Sequence, residues 1–191
     1  REAKANDVIV GKNNYLYEKN YIRAFFGEDF IGEEQIEIKV AKLKDICDTL
    51  KTKDIELIVL LAPGKGSFYP EYIPDKYKPE NKSVSNYEAY LSELLDNNIN
   101  VVDFYNWFIS MKSSSKYPLF PKTGIHWSRY GEILAADSII RYINNNMNLK
   151  QKPSIIIENI TTSRDMSFTD DDIEKGMNLI FNINDLRMGY P

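Results

Sequence analysis

Residues 55–61, Ile55-Glu56-Leu57-Ile58-Val59-Leu60-Leu61, form a nearly continuous apolar run. A strand that apolar is normally covered on both faces, which is the habit of a parallel sheet. Upstream, Ile36, Val40, Leu43, Ile46, Cys47 and Leu50 recur three or four apart, predicting an amphipathic helix over 33–52 with Lys39, Lys42, Lys44 and Asp45 on its wet side. Downstream, Tyr87, Tyr90, Leu91, Leu94 and Leu95 mark a second helix and Ile99 to Phe104 a second strand. Trp107, Phe108 and Met111 mark a short third helix, and residues 129–146 a fourth. Ile155, Ile156 and Ile157 suggest a third strand. Thr169-Asp170-Asp171-Asp172 opens a last helix, with Thr169 as N-cap and Asp172 at the third helical position. Residues 8–10 and 15–17 read as an N-terminal β-hairpin around the polar turn Gly11-Lys12-Asn13-Asn14. Helices inserted between apolar strands imply right-handed crossovers and an α/β fold, a three-layer αβα sandwich with a mainly parallel sheet. The expected organisation is a single domain over 1–191.

Composition narrows the function classes. With 43% hydrophobic and 27% charged residues, a 191-residue chain can bury one core of useful size. A net charge of -4, with Lys and Arg interspersed among acids, disfavours nucleic acid as a partner, because phosphate contacts need clustered cations. No apolar run reaches the roughly 18 residues of a membrane span. The opening Arg1-Glu2-Ala3-Lys4-Ala5-Asn6-Asp7 lacks the apolar region of a signal peptide. In an exported protein, the signal or anchor would therefore lie upstream of Arg1. A single Cys47 forbids an internal disulfide and, with one histidine, provides no zinc cluster; no metal and no cofactor is expected. Cys47 falls on the apolar side of its helical repeat and is expected to be buried.

Chemistry concentrates in Lys122-Thr123-Gly124-Ile125-His126-Trp127-Ser128, which holds the only histidine. His126 is nearly the only side chain whose ordinary pKa suits acid-base work near neutrality. Pro121 and Gly124 make the segment a loop, and Ser128 can cap the helix that follows. The alternative role is structural, the ring packing beside Trp127 with a backbone hydrogen bond. Ligands in open α/β sheets collect at the carboxyl ends of strands, which selects the loops after Leu61, after Val102 and around His126. In the first, Lys65 could hold an anion. The segment Pro63-Gly64-Lys65-Gly66-Ser67 does not match a P-loop, and Ser67 lacks the helix signal of a nucleophile elbow, so a rigid surface loop is the expectation there. In the second, Asp103 ends its strand and is either an acid that reaches His126 or the N-cap of the helix starting near Tyr105. The 13 Tyr, 9 Phe and 2 Trp suit sugar faces and cores alike. Tyr69, Tyr72 and Tyr77 cluster in the loop after Leu61, and Trp127 adjoins the histidine.

Three stretches together resemble the AlgX/AlgJ-like, DHHW-type group of SGNH-hydrolase-like proteins. Gly11-Lys12-Asn13-Asn14-Tyr15-Leu16-Tyr17 is similar to that family's N-terminal element, and Leu61 to Pro74 to its Pro-x-Lys-x-x-x-Tyr-Pro-Glu-Tyr-Leu-Pro segment. Phe120 to Ser128 is similar to its Asp-x-His-Trp motif, with Thr169-Asp170-Asp171-Asp172-Ile173 following. The resemblance implies an exported, periplasmic or membrane-anchored envelope protein related to O-acetylation or deacetylation of a polysaccharide. It implies serine-ester acyl transfer with His126 as base, an acetylated sugar or polysaccharide as partner and a membrane acyl-transfer protein as a possible second one. Lys65, Ser67, Tyr69 and Trp127 are then the expected substrate-binding residues. Two departures stand out. Gly124 occupies the place of the motif aspartate, which makes Asp103 the expected substitute. The family's serine, in a Gly-Asp-Ser turn after a later strand, has no counterpart before Pro191. The expectation is therefore a chain that continues in its parent gene and is inactive as the 191 residues alone. Alternatives are a carbohydrate-binding module without catalysis, a scaffold of a polysaccharide modification or export complex, and a complete esterase using Ser67.

Overall fold

The computed structural model describes residues 7–147, 152–167 and 169–191. It opens with the expected hairpin, β1 (Val8–Val10) antiparallel to β2 (Leu16–Glu18), with Val10 opposite Leu16. Asn13 and Asn14 take positive φ in the connecting turn, a conformation Asn tolerates better than most residues. Helix α1 (Lys19–Phe26) follows and ends at Gly27, whose φ of 76° needs no Cβ. The long helix α2 (Glu33–Lys51) matches the predicted repeat. Strand β3 (Val59–Leu61) then leads through a loop into the single turn α3 (Lys65–Phe68).

Helix α4 (Asn86–Asp96) starts in a complete capping box, Ser85 accepting from Glu88 N–H while the Glu88 carboxylate accepts from Ser85 N–H. It returns the chain to β4 (Val101–Asp103), parallel to β3 with Leu61 opposite Asp103, and α5 (Phe104–Met111) follows directly. After the histidine loop, α6 (Arg129–Asn146) begins at the cap foreseen for Ser128, whose hydroxyl accepts from Gly131 N–H and donates to the Pro118 carbonyl. The chain closes with β5 (Thr161–Ser163), the five-residue α7 (Asp172–Gly176) and β6 (Met188–Tyr190), which pairs antiparallel to β5.

The sheet expectation needs correction. The described strands make three two-stranded sheets, and only β3–β4 is parallel. Leu60 in β3 is 44% exposed, so the strand is not covered on both faces as its apolar run implied. The triple isoleucine at 155–157 forms no strand and leaves Ile156 79% exposed; strand propensity yields nothing without a backbone edge to pair with. The last helix starts at Asp172 with Asp171 at its N-cap, not at Thr169. Cys47 is half-buried, at the border of the cluster around Ile36 and Val40.

Two apolar clusters frame the parallel pair. Ile36, Val40, Leu94 and Ile99 join α2 and α4 to β3 and β4. On the other side Phe68, Tyr69, Phe104, Phe108 and Phe120 pack ring against ring in an aromatic core that also buries Tyr17. Fully burying one such ring is worth roughly 2–3 kcal/mol, so this core carries much of the fold. A third, small cluster of Leu16, Ile125 and Ile173 ties the hairpin and α7 to the histidine loop.

Candidate functional site

The histidine loop is gripped from three directions. From the hairpin, Leu16 N–H donates to the Lys122 carbonyl at 3.0 Å. From α7, Glu174 N–H donates to the Thr123 carbonyl at 3.2 Å. From beneath, the ammonium of Lys65 donates to the carbonyls of Lys122 (2.8 Å) and Gly124 (2.6 Å). These contacts leave little freedom to a segment that has no regular structure of its own.

His126 emerges from this loop at the wall of a cleft of about 440 Å³, lined also by Tyr21, Pro63, Gly64, Phe120, Trp127 and Glu132. Its side chain is 61% exposed, and its Nδ1 lies 2.7 Å from Oδ2 of Asp172. The other carboxylate oxygen of Asp172 accepts from the N–H groups of Ile125 (2.9 Å) and Ile173 (2.7 Å). A carboxylate on Nδ1 holds the proton there and leaves Nε2 as the basic nitrogen. A histidine and a carboxylate so arranged can act as a base and its orienter.

Asp103, expected as the histidine's partner, fills the other role available to it. Its carboxylate caps α5 through Asn106 N–H (3.1 Å) and accepts from Tyr87 Oη (2.9 Å) and Asn106 Nδ2 (2.7 Å). Lys65 is not a ligand-binding group either. It is fully buried with Nζ committed to two carbonyls, and burial lowers its pKa well below the ordinary lysine value, partly opposed by the charge of Asp172.

Tyr69 is 8% exposed, its hydroxyl turned to the Phe120 carbonyl at 3.3 Å and its own carbonyl accepting from Tyr17 at 2.7 Å. Burial pushes the phenols of both Tyr17 and Tyr69 far above their ordinary value. Tyr72 stacks on Tyr15 at 3.9 Å between centroids, so this tyrosine cluster is core rather than sugar platform. Ser67 lies outside the histidine cleft, in an adjacent cavity of about 210 Å³ with Tyr87 and Tyr105. The two cavities share Tyr21, Ala62 and Gly64 as common walls. Trp127 lies in the cleft wall, with Nε1 donating to the Pro63 carbonyl at 3.4 Å.

Sequence reasoning missed Asp172, which it assigned to the first turn of a helix. The available signal was the run of three aspartates ahead of Ile173, an apolar residue that has to dock somewhere and brings its neighbour with it. Among the described residues, no group of three or more His, Cys, Asp or Glu side chains is arranged to hold a metal ion.

A family model described as "SGNH hydrolase-like domain, acetyltransferase AlgX" matches residues 8–165, and the chain belongs to that family. The "Probable alginate O-acetylase AlgJ" of Pseudomonas fluorescens is 23% identical over 146 residues, 76% of this chain and 36% of that protein. Its namesake in Pseudomonas syringae pv. tomato is 24% identical over the same shares. The chain thus spans about a third of the length of these curated relatives. Among solved structures, the O-acetyltransferase domain of Pseudomonas putida AlgJ superposes with a TM-score of 0.66 at 19% identity, covering 96% of this chain and 63% of that one. Bacillus cereus PatB1 superposes with a TM-score of 0.58 at 16% identity, over 83% and 52%. These likenesses establish the SGNH-hydrolase-like α/β fold.

Proposed function

We propose that this chain is the histidine-bearing part of an exported, cell-envelope acyl-transfer protein that adds acetyl groups to, or removes them from, a polysaccharide. The observation that carries the reading is the His126–Asp172 pair at the wall of an aromatic-lined cleft. The names of the relatives, alginate O-acetylases, support the same substrate class. In the reaction, Nε2 of His126 takes the proton of an attacking serine hydroxyl as its oxygen bonds to the acetyl carbonyl carbon. The imidazolium then gives that proton to the departing alcohol or thiol oxygen or sulfur, leaving an acetyl-serine ester. A sugar hydroxyl, or water, attacks the ester in the second half with the same histidine as base. Trp127 and Tyr21 offer apolar ring faces of the kind that pack against sugar rings. A membrane acyl-transfer protein is the partner expected to supply the acetyl group. Ser128, two residues from the histidine, is engaged as a helix cap and is not assigned the nucleophile's role.

The test is acetyl turnover by the full protein on acetylated and unacetylated polyuronate, comparing wild type with His126→Ala. A loss of about a hundredfold or more in the variant supports the reading. Turnover unchanged by the substitution rejects it. A second reading, a carbohydrate-binding module without catalysis, draws on Gly124 standing where the resemblance places an aspartate. It predicts oligosaccharide binding that survives His126→Ala and no turnover in either protein.

A further inference from the structure

We infer that Asp172 is the positioning residue of His126, replacing an acid that the histidine loop itself has no room to carry. The inference rests on the reading of His126 as a base. Three observations support it. The carboxylate is fixed at both oxygens, one on Nδ1 of His126 and the other on the N–H groups of Ile125 and Ile173. The element that carries it is docked on the same loop, through the Glu174 N–H bond to Thr123 and the packing of Ile173 against Ile125 and Leu16. Finally, a Cβ built at Gly124 would lie 2.5 Å from the Thr169 carbonyl oxygen and 2.7 Å from the carbonyl carbon and oxygen of Asp170. Real Cβ atoms do not come that close to backbone. The segment that delivers Asp172 therefore occupies the space a side chain at 124 would need, so the two positions exchange: an acid at one requires glycine at the other.

The fixed oxygen makes the test sharp. In Asp172→Asn, two backbone N–H groups still demand an acceptor, so the amide oxygen takes the place of Oδ1 and the NH₂ faces Nδ1. An NH₂ donates, so the neutral ring must move its proton to Nε2 and lose its basic nitrogen on the cleft side. His126 is the only histidine, so ¹⁵N-histidine labelling gives one ring to read.

Under conditions where the ring is neutral, wild type is expected to show a protonated Nδ1 and a bare Nε2. Asp172→Asn is expected to show the reverse, and Asp103→Asn the wild-type pattern. An unchanged tautomer in folded Asp172→Asn, or inversion in Asp103→Asn, overturns the inference. Should Asp172→Asn not fold, Asp172→Glu keeps a carboxylate and is expected to retain Nδ1–H; a proton on Nε2 there overturns it equally. In the full protein, Asp172→Asn is expected to lower kcat at least about a hundredfold with KM little changed. If His126→Ala abolishes turnover and a tautomer-inverted Asp172→Asn does not lower it, the positioning role fails while the base reading stands. If His126→Ala has no effect, the base reading fails by itself, and with it the inference that rests on it.

Discussion

Lys65 and Gly124 are joined by a 2.6 Å hydrogen bond from a fully buried ammonium to a backbone carbonyl. With its second bond to the Lys122 carbonyl, the lysine works as a cross-brace under the histidine loop. A residue that looks like an anion hook in sequence is thereby committed to holding a loop in shape.

Lys65→Met keeps the aliphatic stem and removes the donor to the buried Gly124 carbonyl, while the Lys122 carbonyl keeps its bond from Leu16 N–H. An unsatisfied buried acceptor costs roughly 1–3 kcal/mol, partly offset by no longer burying a charge. A net loss of about 2 kcal/mol is expected in urea denaturation at pH 7. The pH dependence has a definite sign. A lysine pKa lowered by burial means the unfolded chain binds more protons between the folded value and about 10.4, so stability rises with pH across that window. The buried phenols of Tyr17 and Tyr69, raised by burial, act oppositely above about pH 10, where only the unfolded chain ionises them. Wild type is expected to gain stability into the mildly alkaline range and lose it beyond; Lys65→Met should lack the rising limb.

Gly124→Ala should be costly although it adds one methyl group. Backbone at Thr169 and Asp170 must withdraw, and overpacking against backbone costs about 1–3 kcal/mol. Restoring the aspartate of the related motif, Gly124→Asp, is expected to destabilise the protein further and not to rescue any function. Thermal denaturation of both variants checks this; a Tm at or above wild type for Gly124→Asp contradicts it.

Asp170 is 1% exposed, and its pKa is raised to about 6, chiefly by burial and further by the charges of Glu132, Asp171 and Asp172, with the Tyr190 hydroxyl opposing. The folded state therefore holds a proton that the unfolded chain releases near pH 4. Its contribution is complete below about pH 4 and disappears as pH rises through about 6. Asp170→Asn, which has no charge to bury, should be more stable than wild type at pH 7 by on the order of 2 kcal/mol, with the advantage vanishing near pH 4. Denaturant titrations at the two pH values give the comparison.

Asp103→Ala removes the N-cap of α5 and the acceptor of the Tyr87 hydroxyl. A loss of about 1 kcal/mol is expected, as for other N-caps. Acetyl turnover by the full protein should be unchanged, the opposite of the result for Asp172→Asn. A hundredfold fall in kcat for Asp103→Ala would return the orienting role to that residue.

What was readable in the sequence and what was not divides along contact range. Periodicity placed α2, α4 and α6, and the Ser128 cap was recognisable, because these depend on residues within a turn or two of one another. The hairpin and the strands at 59–61 and 101–103 were likewise found, though trimmed at their ends. Ile155 to Ile157 misled because a strand exists only where another edge accepts it, and composition holds no record of the edge. Loop positions at strand ends pointed to segments that line one cleft in the structure, His126 and Trp127 beside Pro63 and Gly64. Lys65 and Tyr69 were misread because burial of a polar side chain depends on distant carbonyls, those of Lys122, Gly124 and Phe120. Asp172 escaped for the same reason.

The 46-residue separation between His126 and Asp172 carries a last consequence. The ring and the acid that orients it belong to segments synthesised at different times, with α6 in full between them. An emerging chain long enough to bury its aromatic core still holds an unaligned imidazole until α7 has docked. The ring is therefore aligned late in assembly, only after the whole helix that follows it has been made.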